Sequence, residues 1–139
     1  MNLNQLTIKE AKEGLKAKKF SSADLTKACL GQIRQHNKDL NAFITVTEKE
    51  ALKSAKKADN LALQDQVWQA KPLSGIPIAL KDLFSTKGIK TTAASKVLDN
   101  HIPPYDATVV KKLKDAGAVI LGKLNHDAWG HGASGENSD

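Results

Sequence analysis

Two lysines in this sequence stand where an amine could do chemistry. The stretch Ser74-Gly75-Ile76-Pro77-Ile78-Ala79-Leu80 runs into Lys81, and Ala118-Val119-Ile120-Leu121-Gly122 runs into Lys123. Each apolar run reads as a core strand, and the first carries its proline near the start, where a missing N–H does least harm. Strand alternation puts Lys81 on the face of Pro77 and Ala79, and Asp82 on the other. An ammonium ending a core strand either snorkels into water or loses hydration. In the second case its charged form is disfavoured, and the neutral amine can accept a proton. Spacing alone does not rank the two lysines, so Lys123 is the internal control for Lys81.

Other reactive residue types fall short on spacing. His126 and His131 are five apart, whereas two metal ligands on one helical face need three or four, so no metal site is expected. Gly132-Ala133-Ser134-Gly135-Glu136 misses a nucleophile elbow because Glu136 stands where the last glycine belongs. No phosphate-binding glycine loop is present, so no ATP site is expected on this chain. Cys29, the single cysteine of 139 residues, excludes an internal disulfide and fits a reducing compartment. The net charge of +6 is carried almost wholly by lysine, with Arg34 the only arginine and aromatics at 4%. Base readout favours arginine and stacking platforms need aromatics, so the lysines read as a solvated surface. No stretch approaches 18 apolar residues and Met1–Asn4 opens no signal peptide, so neither membrane nor export is expected.

The elements that must position Lys81 can be placed from local signals. Thr7-x-x-Glu10, Ser21-x-x-Asp24 and Thr47-x-x-Glu50 each pair a hydroxyl with a carboxylate three residues later, predicting three helix starts. Ala42 to Val46 predicts a short strand, and residues 64–74 a linker. Residues 82–105 form a long segment without periodicity, the kind of loop that usually has a task. Asp106 is expected to cap a helix with Val109, Val110, Leu113 and Ala116 facing inward, and Gly117 to end it. Strand, crossover with helix, then strand is a βαβ arrangement with parallel strands. The fold class is α/β.

From Pro72 to Asp139 the sequence resembles the amidase signature family. The pieces that carry the likeness are PLSGIPIALKD, STKGIKTTAASKVLDN, PPYDATVVKKLKDAGAVILGKLN and GENSD, in the family's order and spacing. The helices before them look like the lead-in of the branch that supplies ammonia within tRNA-dependent amidotransferases. The resemblance implies the N-terminal part of the amidase signature fold, a mixed β-sheet covered by helices. Residues 1–70 would be a helical lead-in and 71–139 the start of the core, continuing past Asp139.

By the same resemblance Lys81 matches the lysine of a Ser–cis-Ser–Lys triad whose serines would lie beyond residue 139. There it relays a proton through the bridging serine to the nucleophile. Lys123 matches a family position outside the triad. Gly132 and Ser134 are the substrate-binding candidates, with His131 and Ala133 standing where relatives carry Met and a further Ser. The implied function is a cytoplasmic glutaminase subunit in the complex that converts Glu-tRNA(Gln) to Gln-tRNA(Gln). Its partners would be the other subunits, glutamine and the misacylated tRNA, with ATP and Mg²⁺ used by a partner subunit. Two alternatives remain: a free-standing amidase of small carboxamides, and a non-catalytic interaction module.

Overall fold

The structure is a computed structural model that describes residues 2–62 and 67–139. Its helices are α1 (Ile8–Lys16), α2 (Ser22–Leu40), α3 (Glu48–Leu61), the single turn α4 (Val67–Ala70) and α5 (Thr108–Asp115). The strands are β1 (Phe43–Val46), β2 (Pro77–Lys81) and β3 (Val119–Leu124). β3 is central, antiparallel to β1 and parallel to β2, so the described sheet is mixed with order β1-β3-β2. The expected βαβ unit is present: β2 leads through the long segment and α5 into the parallel β3.

Two of the three expected capping boxes form. Thr7 and Glu10 exchange hydroxyl and carboxylate contacts with each other's amides at the start of α1, and Ser21 and Asp24 do so at α2. The start of α2 has a second support, since the Asp59 carboxylate of α3 accepts from Ser22 N at 2.6 Å and Ala23 N at 3.1 Å. Thr47 behaves differently. Its hydroxyl donates to the Ile120 carbonyl at 3.1 Å and its amide to the Leu121 carbonyl at 2.9 Å, leaving α3 without a side-chain cap. Thr47 is buried where β1 ends beside β3, and the carbonyls of β3 beyond that point need donors more than the helix does.

Asp106 is likewise not a cap. The residue before α5 is Ala107, and the Asp106 carboxylate instead accepts from Lys87 N at 2.8 Å and from the Lys114 ammonium at 2.8 Å. A full cation outbids a helix's partial charge. Gly117 stops α5 as expected: at φ +91°, its amide reaches Lys114 O and the Ala118 amide reaches Leu113 O, closing both bonds of a Schellman motif. Of the residues expected to face inward on α5, Val110 is fully buried, but Val109 is exposed. The predicted linker contains the helical turn α4, while its residues 64–66 lie outside the described residues.

The core lies on both sides of the sheet. Val119 and Leu121 pack against Ala23 and Leu30 of α2 and Ala51 and Ala55 of α3. Ile120, Ala118 and Leu80 pack against Val110 of α5 on the other side. A third cluster joins Ala11 and Leu15 of α1 to Leu25 and Ile76. β2 is an edge of the described sheet, so Pro77, Ile78 and Ala79 are half-buried rather than fully enclosed.

Candidate active site

The ends of β2 and β3 form the chemically loaded part of the molecule, and a bulge decides which side chains meet there. Ile78 pairs with Ile120, but Ala79 pairs with Gly122 and Leu80 with Lys123, so Leu121 is one residue extra on β3. Opposed residues share a face, and Ile78 and Leu80 share one by alternation. Lys123 is therefore turned onto the face of Ile120 and away from that of Val119 and Leu121. Gly122 makes the bulge possible: a Cβ there would run into the Thr45 carbonyl.

On that face Lys123 is fully buried. Its ammonium donates to the Phe84 carbonyl at 2.9 Å and to the Thr91 hydroxyl at 2.7 Å, and lies 3.1 Å from Asp82 Oδ1. Thr91 gives its own proton to Ile89 O at 3.1 Å, which leaves its oxygen free to accept. Two N–H bonds of the ammonium thus find neutral acceptors, while the Asp82 contact is a close ion pair without an aligned hydrogen bond. Burial pushes the Lys123 pKa down, and the Asp82 carboxylate opposes that shift. Spacing alone makes Lys123 an interchangeable control for Lys81; the structure makes it half of a buried ion pair.

Asp82, also fully buried, is the hub. Its Oδ2 accepts from Thr92 N at 2.8 Å and Thr92 Oγ1 at 2.6 Å, and its backbone carbonyl accepts from Ala93 N at 3.1 Å. These bonds grip a strained turn. Ala93 and Ala94 are consecutive left-handed residues, at φ +53° and +51°, each costing about 1–2 kcal/mol for a side chain with a Cβ. The strain is held from every side. Ala94 N reaches Thr92 Oγ1, Trp129 N reaches Ala93 O at 2.9 Å, and Asp139 N reaches Ala94 O at 3.2 Å.

Lys81 is the last residue of β2 and points away from Asp82, as alternation requires. Its side chain is exposed, the snorkelling outcome of the two that the spacing allows, and not the partial burial that its match to the triad lysine implies for it. The ammonium lies beside the 128–137 loop: a Cβ placed on Gly130 would stand 3.8 Å from Lys81 Nζ. Asp127 shapes that loop. Its carboxylate accepts from Gly135 N and Asn137 N, each at 3.0 Å, and those amides hold its pKa below the usual carboxylate range. Gly132 lies tight against the same carboxylate, leaving no room for a Cβ. Ser134 is exposed and its hydroxyl accepts from Glu136 N at 3.3 Å. Lys81 thus meets this loop at Gly130, while Gly132 and Ser134 lie further along it, Gly132 against Asp127 and Ser134 exposed. Asp139 anchors the segment after the loop, its carboxylate accepting from Ser95 Oγ at 3.1 Å and Lys96 N at 2.9 Å.

The family model described as Amidase matches residues 24–139. The chain belongs to the amidase family. Among curated relatives, this amidase chain is 54% identical to the A subunit of the glutamyl-tRNA(Gln) amidotransferase of Geobacter metallireducens, over 99% of its own length and 28% of the relative's. The corresponding protein of Legionella pneumophila is 49% identical over 98% of the chain. The chain thus spans a little over a quarter of the length of the curated relatives it matches.

Among solved amidase-type structures, the peptide amidase of Stenotrophomonas maltophilia superposes with a TM-score of 0.82 at 33% identity, covering 90% of this chain and 26% of that one. The A subunit of the Thermotoga maritima glutamyl-tRNA(Gln) amidotransferase superposes with a TM-score of 0.72 at 34% identity, covering 99% and 26%. The mixed sheet with helices on both faces is the N-terminal part of that fold. For this amidase chain, reasoning from sequence singles out Lys81 but misses Asp82, Thr91, Thr92 and Asp127. The signal that points to the first three is a set of polar residues with short side chains in the long loop directly after a core strand, where buried backbone must find partners; Asp127 stands likewise just after β3.

Proposed function

We propose that this chain is the N-terminal part of a glutaminase subunit in a tRNA-dependent amidotransferase, which turns Glu-tRNA(Gln) into Gln-tRNA(Gln) with ammonia taken from glutamine. The observation that carries this is 54% identity over nearly the whole chain to a protein of that name. In this reading Lys81 is the proton relay. It stands at the end of β2 beside a rigid, strained turn, facing a loop that contains the substrate-binding candidates Gly132 and Ser134. Its amine is exposed on this chain, so the covering that would favour its neutral form, and the serine nucleophile, come from the rest of the whole protein. Lys81 then takes a proton from the bridging serine as the nucleophile attacks the glutamine carboxamide, and returns it to the departing ammonia.

No ATP or Mg²⁺ is assigned to this chain; both act on a partner subunit, where the tRNA-bound glutamate is activated. In this reading the complex works in the cytoplasm, beside its tRNA substrate. Among the described residues no helix is long and apolar enough to cross a membrane. The test is conversion of Glu-tRNA(Gln) by the full-length protein with its partner subunits, glutamine as nitrogen donor. Gln-tRNA(Gln) formation that vanishes in Lys81→Ala supports the reading; unchanged formation in that variant refutes the assignment of Lys81. The likeness to peptide amidase favours a second reading, a free-standing amidase. Ammonia release from small carboxamides that needs neither partner nor tRNA would select it.

A further inference from the structure

We propose that Lys123 is a positioning residue for the Lys81 site, acting through Asp82 and the Phe84 carbonyl. The inference rests on the reading of Lys81 given above and extends it to a residue outside the triad. The chain turns at Lys81: Asp82 N donates to Leu124 O at 3.0 Å and Phe84 N donates to Lys81 O at 3.1 Å. The Lys123 ammonium touches this turn twice, at the Asp82 carboxylate and at Phe84 O, and reaches past it to Thr91.

The other oxygen of Asp82 holds Thr92, and Thr92 in turn holds the amide of Ala94. One buried cation therefore ties the β2 end that bears Lys81 to the strained turn packed behind it. A hydrophobic side chain of similar length would fill the same space if packing were all that mattered. Burial of the ammonium instead costs hydration, which Asp82 offsets only while the pair is intact. A fold-wide support has no need of such a pair at the one strand end that presents the candidate base. The geometry fits a device that fixes a local arrangement.

The test uses the full-length protein with its partner subunits and three variants: Lys123→Met, Lys123→Met combined with Asp82→Asn, and Lys81→Ala. Ammonia release from glutamine gives kcat and KM, and amide hydrogen exchange reports on each segment. Lys123→Met is expected to lower kcat by about 100-fold or more while KM stays within about threefold, the signature of a lost geometry in the reacting complex. Exchange should quicken at Thr92, Ala93 and Ala94 and stay unchanged in α2 and α3.

The double variant, which leaves no unpaired buried charge, should recover at least about tenfold in kcat over Lys123→Met. A kcat within threefold of the parent in Lys123→Met overturns the proposal. So does quickened exchange spread evenly over the whole chain, or failure of both Lys123 variants to fold, since either makes Lys123 a general support. An active Lys81→Ala protein refutes the base assignment separately, and the local exchange pattern then decides the role of Lys123 alone.

Discussion

Replacing Asp82 by Ala should loosen one turn by a large and calculable amount. The substitution strands the Lys123 ammonium with two neutral acceptors and removes the acceptor of both Thr92 N and Thr92 Oγ1. Breaking a fully buried ion pair from one side costs about 3–5 kcal/mol. At 1.36 kcal/mol per decade that is roughly two to nearly four decades in a local opening equilibrium. Amide hydrogen exchange of the full-length protein reads it directly, at Thr92 and at Ala93 and Ala94, whose left-handed turn then keeps its backbone contacts to Asp82 O, Trp129 and Asp139 but loses its carboxylate anchor. The predicted acceleration is about 100-fold or more at these amides, limited above by the global stability of the protein. Combining Asp82→Ala with Lys123→Met should return part of the protection, because no unpaired charge remains while the Thr92 donors still lack their acceptor. Acceleration below about tenfold in the single variant would refute the hub role of Asp82.

Lys81→Arg should be as inactive in ammonia release as Lys81→Ala, with an unchanged melting curve, because guanidinium keeps its proton at any useful pH; an active Lys81→Arg protein would make the residue a fixed charge instead of a base. Gly132→Ala should push the Asp127 carboxylate off the Gly135 and Asn137 amides, so NMR titration should find the Asp127 pKa back toward its ordinary value, with a raised KM for the amide substrate. Lys123 has a pKa below its ordinary 10.5, so between the two values the unfolded chain holds a proton that the folded chain has lost. Stability then rises with pH through that window, and denaturant titrations from neutral to alkaline pH should show the parent gaining on Lys123→Met as pH approaches 10.5.

Features governed by neighbours in sequence are legible. The boxes at Thr7 and Ser21, the Gly117 stop, the parallel strands around α5 and the opposed directions of Lys81 and Asp82 all follow from local rules. What is not legible depends on partners distant in the chain. Thr47 carries the same box letters as Thr7, yet β3 claims its donors. Asp106 has the right position to cap α5, yet Lys114 and Lys87 claim its oxygens. Lys123 shows the limit most clearly. By simple alternation it belongs with Val119 and Leu121, and only the pairing of Ala79 with Gly122 reveals the extra residue that turns it toward Asp82. For Lys81 the sequence leaves burial and exposure both open, since what covers a strand end is set by neighbouring elements and not by the strand.

The bulge also says which length changes this region can survive. Loops such as 96–104 can gain or lose a residue at modest cost, because closure entropy changes slowly with length. Deleting Gly122 would remove the extra residue and leave the amine opposite Leu80, still on the side of Ile120. Inserting one residue between Gly122 and Lys123 would be a different event: with the bulge kept, the amine now facing Asp82 would be carried toward Leu30 and Phe43 on the opposite side. A single-codon insertion there would thus bury one charge in hydrocarbon and orphan another. Related chains should vary in length on either side of this strand without lengthening it, and insertion scanning across residues 96–124 would trace that boundary.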